Sequence, residues 1–292
     1  MTDQRILVTC ATGELGRLAV KHLLQRGKGI MVIAGVRDPN SETAKSLEQA
    51  GAELRVADYD KPETLDAAFA GVDTLLLISS SAPTGRYQHH VNAINAAKRA
   101  GVKLLVYTSL LKADISPMRL MIDPREIEKA IMDSGIPFVI LRNGWYHENY
   151  LGSLKATLEY GAQLGSSKDG RISAASRDEL AEAAAIVVIS GENHAGRAYE
   201  LAGDEAYTLS EFAAELSRQS GKQILYKDLP EEDYKKTLMG FGLPEPIAAS
   251  LADADVQAAS GALYDDSHQL SKLIGHSTAP LSKVIANALA AQ

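Results

Sequence analysis

Ile6-Leu7-Val8-Thr9-Cys10-Ala11-Thr12-Gly13-Glu14-Leu15-Gly16 is the stretch whose reading decides the fold. A short apolar run ends in a turn of small residues, and a helical pattern follows from Glu14 to about Arg26. Strand, glycine turn and helix in that order form the first unit of a dinucleotide-binding fold. A helix start presents free backbone N–H groups and a partial positive charge, so a pyrophosphate can sit there when no side chain blocks it. Gly13 permits that approach, and Gly16 lets the helix pack close to the strand. The usual fingerprint has three glycines; here Cys10 holds the first position. Cys10 reads as a small buried filler, with a redox role as the alternative. A turn that binds nothing is the plain alternative for the stretch as a whole.

The rest of the first half alternates strand and helix. Strands are expected at Ile30 to Val36, Glu53 to Ala57, Val72 to Ile78, Val102 to Tyr107 and Phe138 to Leu141. Helices are expected after Asn40, from Pro62 to Ala70, from about Tyr87 to Ala100 and from about Pro124 to Asp133. Pro62 suits a first helical position, and Gly101 a C-terminal cap. Continuous apolar runs are the mark of buried parallel strands, so the pattern implies a Rossmann-type, doubly wound α/β sheet. After Asn143 the alternation stops. A helix is expected over Trp145 to Tyr160, and capping boxes at Ser176-Arg177-Asp178-Glu179 and Thr208-Leu209-Ser210-Glu211 open two more. Short strands are expected at Tyr199 to Leu201 and Lys222 to Lys227, with helices over most of Glu231 to Ala291. This gives a Rossmann domain over 1–143 and a small α+β C-terminal lobe over 144–292, which also packs on the sheet and partly completes it.

Composition narrows the function classes. With 292 residues the chain is long enough for a large core. A net charge of −7 argues against a general nucleic-acid surface. One cysteine excludes an intrachain disulfide and a multi-cysteine metal site. His89 and His90 are adjacent and point apart on a helix, and no histidine–carboxylate spacing resembles a metal motif. No apolar run approaches the roughly 18 residues of a membrane span, and the chain enters its first strand with no charged leader. A cytoplasmic protein is expected, monomeric or homodimeric, without metal, membrane or nucleic-acid partners.

Ligands of such sheets bind at the carboxyl ends of the strands. The second strand ends at Arg37, about 20 residues beyond the glycine turn, where an acid would bind the ribose 2′-hydroxyl of NAD. A guanidinium there suits a 2′-phosphate, so NADP(H) is favoured over NAD(H); Asp38 reads as a cap for the next helix. Asp58 ends the third strand, placed either to accept from an adenine amino group or to cap the Pro62 helix. Ser79, Ser80 and Ser81 end the fourth strand and Thr108 and Ser109 the fifth, as lining for a ribose and nicotinamide or as plain polar loops.

Thr12-Gly13-Glu14-Leu15-Gly16, Val36-Arg37, Asp58-Tyr59, Leu76 to Ser81, Tyr107-Thr108-Ser109-Leu110-Leu111 and the block Leu141-Arg142-Asn143-Gly144-Trp145-Tyr146-His147-Glu148-Asn149-Tyr150 together resemble the NmrA-like branch of the atypical short-chain dehydrogenase/reductases. The resemblance is closest to its quinone-reducing members, and it reaches Ser271 to His276 near the end. It implies an NADPH-binding Rossmann domain, a small C-terminal lobe and a cleft between them. It also implies that Cys10, Ala11, Thr12, Gly13, Glu14 and Leu15, with Arg37 and Ser79 to Ser81, contact the cofactor. Asn143, Gly144, Trp145, Tyr146, His147 and Glu148 would lie beside the nicotinamide and the substrate. Two departures stand out: Cys10 replaces a glycine, and Pro124 stands where relatives carry a histidine.

Typical short-chain dehydrogenases protonate an alkoxide through Tyr-x-x-x-Lys. That spacing is absent between the fifth and sixth strands, where Leu111 follows Tyr107 and Glu128 follows Pro124. Reducing a ketone makes an alkoxide, with a basicity near that of hydroxide, pKa about 15.7. Reducing a quinone makes a phenolate with a pKa of about 10, as for tyrosine, which water can protonate. The expected function is therefore an oxidoreductase, an NADPH-dependent quinone reductase transferring hydride directly, without flavin. Reduction of azo or triphenylmethane dyes is the first alternative and a non-catalytic NADP(H)-binding redox sensor the second. Asn143, Tyr146 and His147 are the candidates for orienting substrate, against surface or lobe-contact duty for the last two. Trp145 serves as an apolar wall or as ordinary core. No residue is assigned as a catalytic acid.

Overall fold

The structure is a computed structural model and describes residues 4–27, 29–80, 82 and 85–291. Along the chain run β1 (Gln4–Val8), α1 (Glu14–Arg26), β2 (Ile30–Val36), α2 (Glu42–Gln49), β3 (Glu53–Val56), α3 (Pro62–Phe69), β4 (Thr74–Leu77), α4 (Arg86–Ala100) and β5 (Leu104–Leu110). Then come α5 (Ile122–Asp133), β6 (Phe138–Asn143), α6 (His147–Leu151), α7 (Leu154–Tyr160), β7 (Ala162–Gly165), α8 (Arg177–Ser190) and β8 (Arg197–Leu201). The C-terminal part holds α9 (Leu209–Ser220), β9 (Leu225–Asp228), α10 (Glu231–Gly240), α11 (Glu245–Ala258), α12 (Gln269–Ile274) and α13 (Leu281–Ala290).

The chain forms two compact units: Met1–Leu110, Asp123–Asn143 and Arg177–Tyr199 in the first, and Leu111–Ile122, Gly144–Ser176 and Glu200–Gln292 in the second. In the first, a seven-stranded sheet runs in the order β3-β2-β1-β4-β5-β6-β8. Strands β1 to β6 pair in parallel, with Leu7 opposite Ile33 on one side and Leu75 on the other. This is the doubly wound Rossmann-like α/β fold. Strand order reverses between β1 and β4, and the carboxyl ends of these two strands mark the ligand-binding edge. Every side chain of β4 is buried, as a sheet covered by helices on both faces requires. Leu65, Phe69, Leu75, Leu105 and Ile140 join one core cluster. Each such side chain contributes roughly 1.5–3 kcal/mol by leaving water.

Helix α8 belongs to the first unit although it follows Asn143 in sequence. It packs on α1, where His22 Nε2 lies 3.0 Å from Asp178 Oδ1 and Arg26 pairs with Glu182. The chain therefore passes between the units after Leu110, Ile122, Ser176 and Tyr199 as well as after Asn143, where the sequence reading placed a single boundary.

The second unit contains a two-stranded parallel sheet of β7 and β9 among helices. The single helix expected over Trp145 to Tyr160 is two. Trp145 and Tyr146 are extended instead, because they bond to Ala175: its N–H donates to the Trp145 carbonyl at 3.0 Å and its carbonyl accepts from His147 N at 3.1 Å. A second break falls at Gly152-Ser153, where the Ser153 hydroxyl takes the Tyr150 carbonyl at 3.0 Å. The Thr208/Glu211 capping box is present at α9. At α2 the cap is Ser41, which accepts from Ala44 N, while Asp38 instead accepts from Asn40 N within its own turn.

Candidate active site

The turn after β1 brings Cys10 into the left-handed region at φ +49°. That region disfavours an L side chain by roughly 1–2 kcal/mol, which is why glycine is the common choice here. The strain holds because both flanks are bonded: Ala11 N donates to Gly35 O at 3.1 Å and Gly13 N to Cys10 O at 2.9 Å. Cys10 is half-buried, with Sγ 3.9 Å from Ile78 O, and burial pushes its thiol up. Ala11 is buried, Thr12 and Leu15 are half-buried, and Gly13 and Glu14 are exposed. Gly13 caps α1 in extended conformation with no side-chain bond, so nothing covers the first amides of the helix. Glu14 is turned to Arg17 at 2.6 Å. A Cβ on Gly16 would lie 2.2 Å from Cys10 O and 2.9 Å from Ala11 Cα. Only glycine lets α1 come this close to the turn.

Thr9 ties the two central strands together. Its hydroxyl donates to Leu76 O and accepts from Ile78 N. Arg37, at the end of β2, is exposed and makes no ion pair or side-chain hydrogen bond among the described residues. Asp58 caps nothing at α3: its Oδ1 accepts from Asp60 N at 3.1 Å and its Oδ2 lies 3.8 Å from Lys61 Nζ. Thr64 closes that turn instead. Tyr59 is buried against the β4 end, its hydroxyl donating to Ile78 O at 3.3 Å, and burial holds the phenol well above its ordinary range.

Ser79 and Ser80 are pinned through their backbones. Ser79 N donates to Thr108 Oγ1 at 2.9 Å and Ser80 N to His90 Nε2 at 3.3 Å. An N–H can only donate, so His90 Nε2 accepts and its Nδ1 proton goes to Arg86 O at 2.7 Å. His90 is thus a neutral structural histidine, lowered to about 4 by burial. Ser81 lies outside the described residues. Beneath the β5 and β6 ends sits a buried cluster absent from the sequence reading. Glu128 Oε1 accepts from Ser109 Oγ at 2.5 Å and Arg142 Nε at 3.0 Å, and Oε2 accepts from Arg142 Nη2 at 2.7 Å. It ties Ser109 near the end of β5 to Arg142, the residue before Asn143 in β6. Asn143 is 2% exposed and its Oδ1 has no hydrogen-bond partner.

In the second unit, Gly144 N donates to Leu201 O at 2.7 Å and a Cβ there would crowd that oxygen at 3.0 Å. Trp145 is 7% exposed, yet its Nε1–H has no acceptor. Tyr146 caps α6, and Glu148 lies half-buried in its first turn. His147 is buried and stacks on Tyr207 at 5.7 Å and 12°, with Nδ1 3.1 Å from the Tyr207 hydroxyl. Its Nε2 has no partner, and burial lowers its pKa to about 4, so the ring is neutral near pH 7. No signal in the sequence linked Tyr207 to His147, 60 residues away.

Two features fit a dinucleotide. The first turn of α1 offers uncovered amides beside glycines, and the buried Asn143 Oδ1 is an unused acceptor suited to an amide N–H such as that of a nicotinamide. Among the described residues no group of three or more His, Cys, Asp or Glu is arranged to hold a metal ion. None of their helices is long and apolar enough to cross a membrane.

Comparison with known proteins agrees with this arrangement. Quinone oxidoreductase 2 of Escherichia coli is 48% identical over 97% of this chain and 98% of its own. The crystal structure of the Escherichia coli NADPH-dependent quinone oxidoreductase complexed with NADPH superposes with a TM-score of 0.93, covering 97% of this chain and 99% of that one. Triphenylmethane reductase of Citrobacter sp. complexed with NADP(H) is 37% identical, with a TM-score of 0.90 over 97% of this chain and 99% of its own. The model of the NmrA-like family matches residues 2–284. With the glycine turn, the strand-end residues and the Asn143 block all present over that span, the chain belongs to the NmrA-like family.

Proposed function

We propose that this protein is an NADPH-dependent quinone reductase. The observation that carries the reading is the 48% identity, sustained over 97% of the chain, to quinone oxidoreductase 2. NADPH, held by the residues named below, would supply a hydride for direct transfer to the quinone, in a reading that calls on no flavin. The residues of this chain bind and orient. The amides at the α1 start, uncovered beside Gly13, receive the pyrophosphate, with Cys10, Ala11, Thr12, Glu14 and Leu15 forming the turn. The Arg37 guanidinium, with no carboxylate partner among the described residues, pairs with the 2′-phosphate. Ser79, Ser80 and Thr108 border the ribose path, and Asp58 the adenine edge. Asn143 Oδ1 would accept from the carboxamide, and Gly144, Tyr146, His147 and Glu148 are the further residues assigned to the cofactor.

Asn143, Tyr146 and His147 remain the candidates for substrate orientation, and none is needed as a strong acid. A hydroquinone oxygen with a pKa of about 10 can be protonated by water or a weak donor, and a neutral His147 agrees with an orienting role. Hydride transfer then depends chiefly on positioning. The test is the fall in NADPH absorbance with purified protein, with and without 1,4-benzoquinone, and with NADH in parallel. Quinone-dependent oxidation favouring NADPH is expected. A tight NADP complex with no turnover of quinones or dyes would overturn the reading in favour of a sensor.

A further inference from the structure

The second unit contains a cavity of about 550 Å³, within the roughly 300–1,000 Å³ range of small-molecule sites. Its walls are largely apolar and aromatic, including Trp145, Tyr150, Tyr160, Tyr234, Leu238 and Phe241. A neighbouring cavity of about 290 Å³ shares Tyr160, Tyr234, Leu238 and Phe241 with it, so the apolar surface continues past the first chamber. Three polar side chains of the wall are already bonded. The Tyr150 hydroxyl donates to Asp255 Oδ1 at 2.9 Å, the other Asp255 oxygen accepts from Ser166 N at 3.1 Å, and Gln163 Nε2 donates to Leu164 O at 3.0 Å. One buried polar atom of the wall is left over, the Trp145 Nε1–H. Indole is a donor only, and a buried donor left unmet is costly.

A ligand that answers this wall carries an acceptor oxygen on a flat apolar body. We propose that the cavity holds the acceptor itself, a quinone bearing an extended apolar substituent, with a carbonyl oxygen accepting from the Trp145 indole and the substituent lying along Leu238 and Phe241. This rests on the quinone-reductase reading and adds a substrate class to it. Acceptors rich in hydroxyls are disfavoured, because the wall is largely apolar and aromatic.

The experiment compares 1,4-benzoquinone with its decyl-substituted counterpart, and reads binding separately from turnover. Trp145 is the chain's single tryptophan, so its fluorescence reports the cavity in cofactor-free protein. Wild type is expected to show saturable quenching by the decyl quinone and at least a tenfold advantage in kcat/KM for the decyl over the bare ring. Leu238→Glu, at a half-buried position, is expected to weaken the quenching titration and to lower the decyl-to-bare ratio tenfold or more. Phe241→Ser, at a residue 52% exposed, repeats the test where folding is least at risk. Trp145→Phe keeps the ring and removes the donor; kcat/KM for both quinones should fall by about three- to tenfold, the worth of one neutral hydrogen bond. Non-saturable quenching, or an unchanged ratio in both Leu238→Glu and Phe241→Ser, overturns the proposal. If wild type binds the decyl quinone saturably, and loses it in Leu238→Glu, but reduces neither quinone, the cavity assignment stands and the reductase reading fails.

Discussion

Replacing Arg142 with methionine would strand the Glu128 carboxylate inside the first unit. Glu128 and Arg142 are 4% and 7% exposed, so water cannot take over the two lost bonds from Arg142 Nε and Nη2, and the Ser109 hydroxyl, a neutral donor, is left beside the charge. Breaking one side of such a pair costs about 3–5 kcal/mol, because the remaining charge is buried without compensation. At roughly 2–4 °C per kcal/mol for domains of about 150–250 residues, the melting temperature should fall by roughly 6–20 °C. The double replacement Glu128→Leu with Arg142→Met removes both charges, and apolar substitutes for a buried pair are often neutral or better; it should recover most of the loss. Thermal unfolding followed by far-ultraviolet circular dichroism measures both. Salt should change the wild-type value little, as buried pairs are poorly screened. A loss below about 1 kcal/mol, the range of exposed pairs, would refute the reasoning, as would a double variant no more stable than the single one. Since the cluster also holds the ends of β5 and β6, the single variant should bind NADPH more weakly.

Arg37→Asp should weaken NADPH by about ten- to a hundredfold, from the roughly 1.5–3 kcal/mol of a charged hydrogen bond, and leave NADH nearly untouched; an unchanged NADPH-to-NADH ratio of kcat/KM removes Arg37 from the site. Gly16→Ala places a methyl 2.2 Å from Cys10 O. It should cost about 1–3 kcal/mol of stability as overpacking does and raise the Kd for NADPH, whereas wild-type binding would show that α1 need not sit so close. The Asp255 carboxyl, pushed up to about 6 by burial, holds its proton more tightly folded than unfolded. Its stabilisation is fully present below the ordinary value of about 3.9 and is lost as pH rises through 6. Asp255→Asn should therefore gain on wild type between pH 4 and pH 8 by about 2–3 kcal/mol, and parallel stability–pH curves would contradict that.

The alternation of strands and helices, and the closeness of α1 to its turn, were legible because they are local. Apolar runs such as Leu75-Leu76-Leu77 can only be buried strands, a glycine at position 16 marks a backbone contact, and Arg37 declares its charge at a strand end whatever surrounds it. The helix expected from Trp145 to Tyr160 failed because Ala175, almost thirty residues away, competes for its first backbone groups. No local pattern carries such a partner. The same holds for the pairs that make the sites specific: Glu128 with Arg142, His147 with Tyr207, and Tyr150 with Asp255 across 105 residues. Cys10 could be read as a departure from a glycine pattern, but its left-handed backbone and the bonds that hold it there exist only once β2 and β4 lie beside β1. The Trp145 indole was visible in the sequence as an aromatic ring. That its N–H would be buried without an acceptor on the wall of an apolar cavity was decided by tertiary packing, which sets how many partners each polar atom finds.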